Sequence, residues 1–242
     1  MSSRRLEILR AIVDEYVATQ EPVGSKSIAD HHGLGISPAT IRNEMAVLED
    51  EGLITQPHTS AGRIPTDLGY RVFVDKLATV KQLSTAERRA IETFLQGSND
   101  LEELLKRSAK LLADITKQVA VVTYPILGEG REKMAISGTA NLARSGEDLG
   151  LTLSPILEAL EEQVVLLRLL DEVHSTVHVR IGSEQTEANL QSTSLVTVGY
   201  GGESSQLGAV GVLGPTRMDY AASIAAVDAV ARYVGRFINE GP

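Results

Sequence analysis

A short run of residues near position 40 combines side chains that suit the recognition of DNA bases. The run 37–43, Ser-Pro-Ala-Thr-Ile-Arg-Asn, opens with a preferred helix-capping residue and has proline at the first helical position. On such a helix Ile41 and Met45 face the core. The side chains left for the outer face are Thr40, Arg42 and Asn43. Arg pairs with guanine, Asn with adenine and Thr with either. Ala39 permits close approach and Ser37 can hold a phosphate, so the run predicts a major-groove helix.

A second group of polar residues lies between two short extended segments that follow this helix. The loop 57–63, Pro-His-Thr-Ser-Ala-Gly-Arg, is typical of the wing of a winged helix. Its candidate contacts to phosphates or the minor groove are His58, Thr59, Ser60 and Arg63. Lys26, near the start of the preceding helix, is a further candidate for phosphate contact.

The overall charge opposes a simple electrostatic attraction to DNA. The chain has 242 residues and a net charge of −9. Residues 1–76 contain eight Lys/Arg against eleven Asp/Glu, whereas a nucleic-acid binder usually has a basic domain. We therefore expect DNA affinity to depend on where the charges lie. Residues 49–51, which are acidic, fall at the far end of the predicted helix, where they repel the DNA backbone least.

Other candidate sites are weaker. The histidines His31, His32 and His58 lack the spacing of metal ligands, and the chain has no cysteine. The carboxylates at 158, 161 and 162 fit a solvated helix face. The glycines of 199–202 lack the Gly-Lys-Ser/Thr of a phosphate loop and predict a turn. Because no nucleophile, base and orienting group fall into a pattern, the sequence predicts neither an enzyme nor a cofactor.

The predicted elements of the N-terminal region place the DNA-contacting residues in a winged helix-turn-helix. Apolar residues at helical spacing predict a helix over residues 6–17, and Ser25 is expected to cap a second helix over 26–32. The turn 33–36 leads to the helix that begins at Ser37. Extended segments at 53–56 and 63–66 flank the wing, and Thr66 is expected to cap a helix that ends near Leu77.

The remainder of the chain predicts an α+β domain with an antiparallel sheet. Residues 84–87 form a capping box, and Asn99 is expected to start a long helix to Lys117. A single helix is expected from Ser154 to Leu170, and a last one from Asp219 to Ile238. Strands are expected at 119–124, 176–181, 193–199 and 207–213. No apolar run reaches the length of a membrane span, and the N-terminus lacks a signal-peptide core, which predicts a cytoplasmic protein.

At this point the sequence resembles a known family. Residues 21–75, and especially the wing sequence PHTSAGRIPT, are similar to the N-terminal domain of the heat-inducible transcription repressor HrcA family. Further similarity lies in SGTANLAR (137–144), EALEEQVVLLRLL (158–170) and LGAVGVLGPTRMDY (207–220). The resemblance implies a homodimeric repressor of heat-shock chaperone operons that binds an inverted-repeat operator in double-stranded DNA. It also implies a link to the GroE chaperonin and a GAF-like C-terminal part with an inserted dimerisation domain.

The sequence departs from this family between Tyr124 and Ser137, where it is shorter by about a small domain. The expected domains are therefore a winged helix-turn-helix over 1–77, a linker and helix over 78–98, and a GAF-like regulatory and dimerisation domain over 99–242, abbreviated around 126–136.

An alternative function is a metabolite-sensing winged-helix regulator whose C-terminal domain binds a ligand. The polar residues of 214–219, between a strand and a helix, are the candidate ligand contacts, and a structural corner is an equally good interpretation. A third alternative is a winged fold that contacts protein instead of DNA.

Overall fold

The computed structural model describes residues 1–76, 83–98, 100–126, 131–145, 149–171, 175–202 and 205–240. The chain divides into two compact units, Met1–Thr79 and Val80–Pro242. Among the described helices, none is both long and apolar enough to cross a membrane.

The first unit contains four helices and a small hairpin within its described residues. Its elements are α1 (Ser3–Thr19), α2 (Ser25–His31), α3 (Pro38–Asp50), β1 (Ile54–Thr55), β2 (Ile64–Pro65) and α4 (Asp67–Lys76). The antiparallel hairpin pairs Ile54 with Pro65 and Thr55 with Ile64. Its core contains large apolar side chains from α1, α2 and α3, among them Ile12, Ile28, Ile41 and Leu48, all fully buried. This is the winged helix-turn-helix that the sequence predicts.

The turn between α2 and α3 depends on two glycines. Gly33 and Gly35 have φ angles of +59° and +66°, which residues with a Cβ atom seldom adopt. They turn the chain within a few residues and bring α3 against α2. One detail of the prediction is wrong: α2 begins at Ser25 itself and its N-cap is Gly24, which makes no side-chain capping bond.

The second unit is built on a five-stranded antiparallel sheet. Its elements are α5 (Thr85–Leu95), α6 (Leu101–Thr116), β3 (Val119–Ile126), β4 (Arg131–Ser137), α7 (Thr139–Arg144), α8 (Leu153–Glu161), α9 (Gln163–Asp171), β5 (His178–Ile181), β6 (Thr193–Gly202), β7 (Ser205–Pro215) and α10 (Tyr220–Glu240). The strand order is β4-β3-β7-β6-β5, and the pairs are antiparallel. The predicted α+β class is confirmed.

Helices cover the sheet of the second unit. Helix α6 packs against β3 and β4, while α10 packs against β6, β7 and α6. A separate apolar cluster joins β3, β6 and β7 to α7, α8 and α9, and includes Val121, Leu142, Ile156, Leu169 and Leu213. Helix α5 belongs to this unit and is held by an ion pair of 2.6 Å between Glu92 and Arg236 of α10.

Several boundaries differ from the sequence-based expectations. Residues 131–137, part of the segment expected to be abbreviated, form the edge strand β4. The single helix expected between Ser154 and Leu170 is two helices that meet near Glu162. The N-cap of α6 is Asp100, whose side chain accepts from the Glu103 backbone at 2.8 Å. Asn99 and the segment 77–82 lie outside the described residues.

Strand β4 is tied to α6 by charge as well as by pairing with β3. Glu102 accepts a hydrogen bond of 2.8 Å from Lys106 and lies 3.5 Å from Lys133 of β4. The hydrogen bond from Lys106, together with the positive charges of both lysines, lowers the pKa of the Glu102 carboxyl.

Candidate nucleic-acid interface

Helix α3 begins as its sequence predicts. The Ser37 hydroxyl accepts from the Thr40 backbone N–H at 3.2 Å, and Pro38 occupies the first helical turn. The buried side chains of α3 are Ile41, Met45 and Leu48. These three residues fix which face of the helix packs inside the unit.

The opposite face of α3 presents the predicted base-contacting residues to solvent. Ala39, Arg42 and Asn43 are exposed, and Thr40 is half-buried, with its hydroxyl 3.0 Å from that of Ser37. Within the described part of the chain, the side chains of Arg42 and Asn43 make no hydrogen bond or ion pair. Both can therefore form new hydrogen bonds with a ligand without first breaking any within the chain.

The acidic residues at the far end of α3 are largely matched by arginines. Arg5 of α1 contacts Glu44 at 3.2 Å and Glu51 at 2.6 Å. Arg63 contacts Glu49 at 2.8 Å. These pairs reduce the local negative field along α3, since the fields of two opposite charges a few ångströms apart largely cancel at larger distances. They offer a physical reason why an acidic unit can present a DNA-binding face.

The wing is held in a defined loop by one side chain. Gln56 donates from Nε2 to the carbonyl oxygens of Thr59 at 3.1 Å and Ala61 at 2.9 Å. The predicted phosphate contacts His58, Thr59 and Ser60 are exposed around it. The loop therefore presents three polar residues on a closed turn.

Arg63 differs from the other predicted contacts. Its guanidinium is half-buried; Nε donates to Oε2 of Glu49 at 2.9 Å, and Nη2 lies 2.8 Å from the same oxygen. Its backbone forms a bridge with Val23, with N–O distances of 2.9 and 2.8 Å. Arg63 thus connects the base of the wing to α3 and to the segment that precedes α2.

Lys26 is exposed near the start of α2, as expected for a phosphate contact. The neighbouring histidines have partners within the unit: His32 lies 3.2 Å from Glu15, and His31 lies 3.3 Å from the Ser27 hydroxyl. Among the described residues, no group of three potential ligands could hold a metal ion.

The strand–helix corner at 214–219 is filled from within the second unit. A Cβ on Gly214 would lie 1.9 Å from the Gln118 side chain. The Tyr220 hydroxyl donates to the Thr216 carbonyl at 2.5 Å, and Asp219 accepts from the Ala222 backbone at 2.9 Å. These contacts favour the structural-corner interpretation over a ligand pocket.

The sequence patterns do not identify the residues that hold α3 and the wing of the first unit in place. The sequence predicts an extended segment for Gln56 and a repulsive acidic end for Glu49, and indicates no specific role for Arg5 or Gly62. A weak signal was present for Gly62, because glycine inside a loop next to a strand often permits close backbone approach. Contacts between residues far apart in sequence, such as Arg5 with Glu51, leave no such local signal.

Two family descriptions match the chain. "Winged helix-turn-helix transcription repressor, HrcA DNA-binding" matches residues 1–78, and "HrcA protein C terminal domain" matches residues 127–224. A solved structure described as a hypothetical protein has a TM-score of 0.87 with 22% identity and covers 99% of each chain. This likeness shows a shared fold.

Curated relatives match over nearly the whole chain. A heat-inducible transcription repressor HrcA from a Nocardioides species is 44% identical over an alignment of 333 positions, covering 98% of this chain and 99% of the relative. The repressor of the same name from Streptomyces avermitilis is 42% identical over 336 residues, covering 99% of each. Because these lengths exceed 242 residues, the relatives contain internal residues that have no counterpart here. The chain belongs to the family of heat-inducible transcription repressors HrcA.

Proposed function

We propose that the first unit binds operator DNA with α3 in the major groove. The observation that carries this proposal is the exposed polar face at the start of α3, where Arg42 and Asn43 have no partner among the described residues. In helix-turn-helix proteins the first residues of the second helix contact base edges. Arg42 would pair with guanine and Asn43 with adenine, and Thr40 would contact either. Ala39 would allow the backbone to approach.

The remaining predicted contacts would hold the sugar–phosphate backbone. Ser37 with the N-terminus of α3 would bind one phosphate, and Lys26 another. The wing residues His58, Thr59 and Ser60 would contact phosphates or the minor groove. Such contacts determine the affinity and the position of the protein along the duplex, whereas α3 determines which base sequence is bound.

The operator of this proposal is an inverted repeat that controls heat-shock chaperone genes, bound by a homodimer in the cytoplasm. The relatives are named heat-inducible repressors, which supports the link to heat shock. One copy of the winged unit can occupy only one half-site, so a two-fold repeat requires two chains. The GroE chaperonin is the proposed partner that controls the amount of active repressor. In this role the chain is a regulator and not an enzyme.

Selection from a randomised pool of double-stranded DNA with the purified full chain tests the proposal. We expect enrichment of an inverted repeat, which should also occur upstream of chaperone genes in the source genome. Failure to enrich any sequence at low salt would contradict DNA recognition by this chain.

The trigger that relieves repression can be tested on the same selected duplex. Titration with chaperonin should change the amount of active repressor, whereas a panel of small metabolites should not alter DNA affinity or thermal stability. A metabolite that changes both would favour the ligand-sensing alternative.

A further inference from the structure

The base of the wing is fixed against the segment that precedes α2. Arg63 and Val23 exchange two backbone hydrogen bonds, of 2.9 and 2.8 Å. A Cβ on the adjacent Gly62 would lie 2.5 Å from the carbonyl carbon of Val23, so only glycine permits this approach. The wing therefore begins from a defined point on the unit.

A charged contact then joins the wing to α3. Nε and Nη2 of Arg63 lie 2.9 and 2.8 Å from the same oxygen of Glu49. The two side chains are 23% and 33% exposed, so each is partly removed from water. Charge-assisted hydrogen bonds from a planar guanidinium fix orientation as well as distance.

The pair lies between the two surfaces that must contact DNA. Arg63 is the last residue of the wing loop, and Glu49 lies two turns beyond Arg42 on α3. The Gln56 carboxamide holds the other side of the same loop through Thr59 and Ala61. Two surfaces that engage one duplex bind more tightly when their separation is set beforehand.

We propose that Arg63 is a positioning residue that acts through Glu49 to hold the wing at the correct distance from α3. This inference rests on the proposed function of the first unit. The carboxylate of Glu49 then increases DNA affinity through Arg63. If Arg63 instead contacted a phosphate, Glu49 would compete with the DNA for the same guanidinium.

The two possibilities predict opposite changes in DNA affinity for one substitution. Glu49→Gln removes a negative charge from a DNA-binding unit, which by charge alone should tighten binding. A positioning role for the pair predicts weaker binding. Asp50→Asn is the matched control, because this neighbouring carboxylate is exposed and has no ion pair within the described residues.

The experiment measures Kd for the full chain on the highest-affinity duplex recovered from the randomised pool, at several salt concentrations. The variants are Glu49→Gln, Arg63→Gln, the double variant, Arg63→Lys and Asp50→Asn. We expect both single Gln variants to weaken binding by about two- to fivefold, as for a partly exposed ion pair. The double variant should be no weaker than the worse single one, because the two residues act as one unit. Asp50→Asn should bind at least as tightly as the wild type.

A footprint separates positioning from general loss of structure. Hydroxyl-radical protection by the Glu49→Gln variant should be lost at the wing-contacted backbone and kept where α3 binds. Thermal unfolding shows that each variant is folded at the assay temperature. Arg63→Lys should recover part of the affinity, since it restores the charge without the two-donor geometry.

Three results would overturn the proposal. Tighter or unchanged binding by Glu49→Gln, together with a salt slope lowered by about one for Arg63→Gln, would make Arg63 a phosphate contact. Unchanged binding in both variants would remove the pair from DNA binding. Equal loss of protection across wing and α3 would indicate a general structural role. Failure to enrich any duplex instead contradicts the proposed function and is recognised before these variants are made.

Discussion

Asn141 donates a hydrogen bond of 2.9 Å from Nδ2 to the carbonyl oxygen of Gln118. The same nitrogen lies 3.2 Å from the Ala113 carbonyl, and Oδ1 accepts from Arg144 at 2.8 Å. Asn141 of α7 thus joins the end of α6 to the residue that precedes β3. The sequence SGTANLAR, which the family resemblance singled out, has a structural role at this point.

Asn141→Ala should lower the free energy of unfolding by about 1–3 kcal/mol, because the Gln118 carbonyl loses its side-chain donor and the Ala113 carbonyl keeps only the Lys117 N–H. Urea unfolding of the full chain measures the change. Asn189→Ala is the control, since this exposed asparagine lies in a short 3-10 helix of the same unit and should change stability by less than about 0.5 kcal/mol. Equal changes in the free energy of unfolding for the two substitutions would contradict the structural role of Asn141.

Arg42→Ala should weaken binding to the selected duplex by about 1–3 kcal/mol and relax the choice of base at one position. Arg42 is exposed in the first turns of α3. Competition assays against a panel of single-base variants of the duplex measure both effects. Arg10→Ala on α1, where the arginine pairs with Asp14, controls for the loss of one positive charge. Equal loss on selected and random DNA would instead make Arg42 a phosphate contact.

Lys26→Gln should weaken binding to all sequences similarly and lower the slope of log K against log salt by about one, as for one lost phosphate contact. Lys76→Gln removes the same charge from an exposed position at the end of α4. We expect it to leave the slope nearly unchanged. If the two lysines gave the same slope, Lys26 would have no specific place in the interface.

Gly62→Ala should destabilise the first unit by about 1–3 kcal/mol, because the added methyl group forces the backbone to shift. The shift would separate the wing from Val23, so DNA affinity should fall as well. Gly24→Ala is the control, since a Cβ there meets nothing within 4 Å. It should cost less than about 1 kcal/mol. Normal stability and affinity of the Gly62 variant would show that the wing tolerates the wider spacing.

The sequence was sufficient to predict the elements whose signals are local. Ser37 and Pro38 marked the start of α3, and the capping box of Ser84 and Glu87 marked the start of α5, with distances of 2.8 and 3.2 Å between its partners. Apolar spacing identified Ile41 and Met45 as the buried face. These features depend on residues within one or two turns of each other.

The features that were missed depend on tertiary contacts. Strand β4 begins with three charged residues, 131–133, so its apolar alternation is weak. Its pairing with β3, for example Val122 with Ala135, is evident only in the folded sheet. The break near Glu162 falls in the polar stretch 161–163, Glu-Glu-Gln, which contains no proline or glycine to mark it. The contact between Arg63 and Glu49 requires the hairpin and α3 to be placed together, and no local pattern indicates it.

The last prediction concerns assembly. The second unit leaves several large apolar side chains exposed, among them Phe94, Ile115, Ile136 and Leu151, with exposed fractions of 38%, 43%, 38% and 99%. Relatives align over 333 and 336 residues, so they contain internal material that this chain lacks. A contiguous exposed apolar patch favours association between copies or aggregation, and these side chains are the candidates to form one.

We expect a dimer formed through the second unit that is weaker or more prone to aggregation than one formed by the longer Nocardioides relative would be. Because half-site spacing mirrors two-fold symmetry, such a dimer should bind a full inverted repeat more tightly than a half-site, and the gain should fall as protein is diluted below its dimerisation constant. Light scattering over a concentration series, combined with binding to half and full duplexes, measures both properties for the two proteins side by side. A monodisperse monomer that binds half and full sites equally would contradict the prediction. A dimer as stable as that of the relative, with equal full-site affinity, would show that the additional internal residues are not needed to hold two winged units in register.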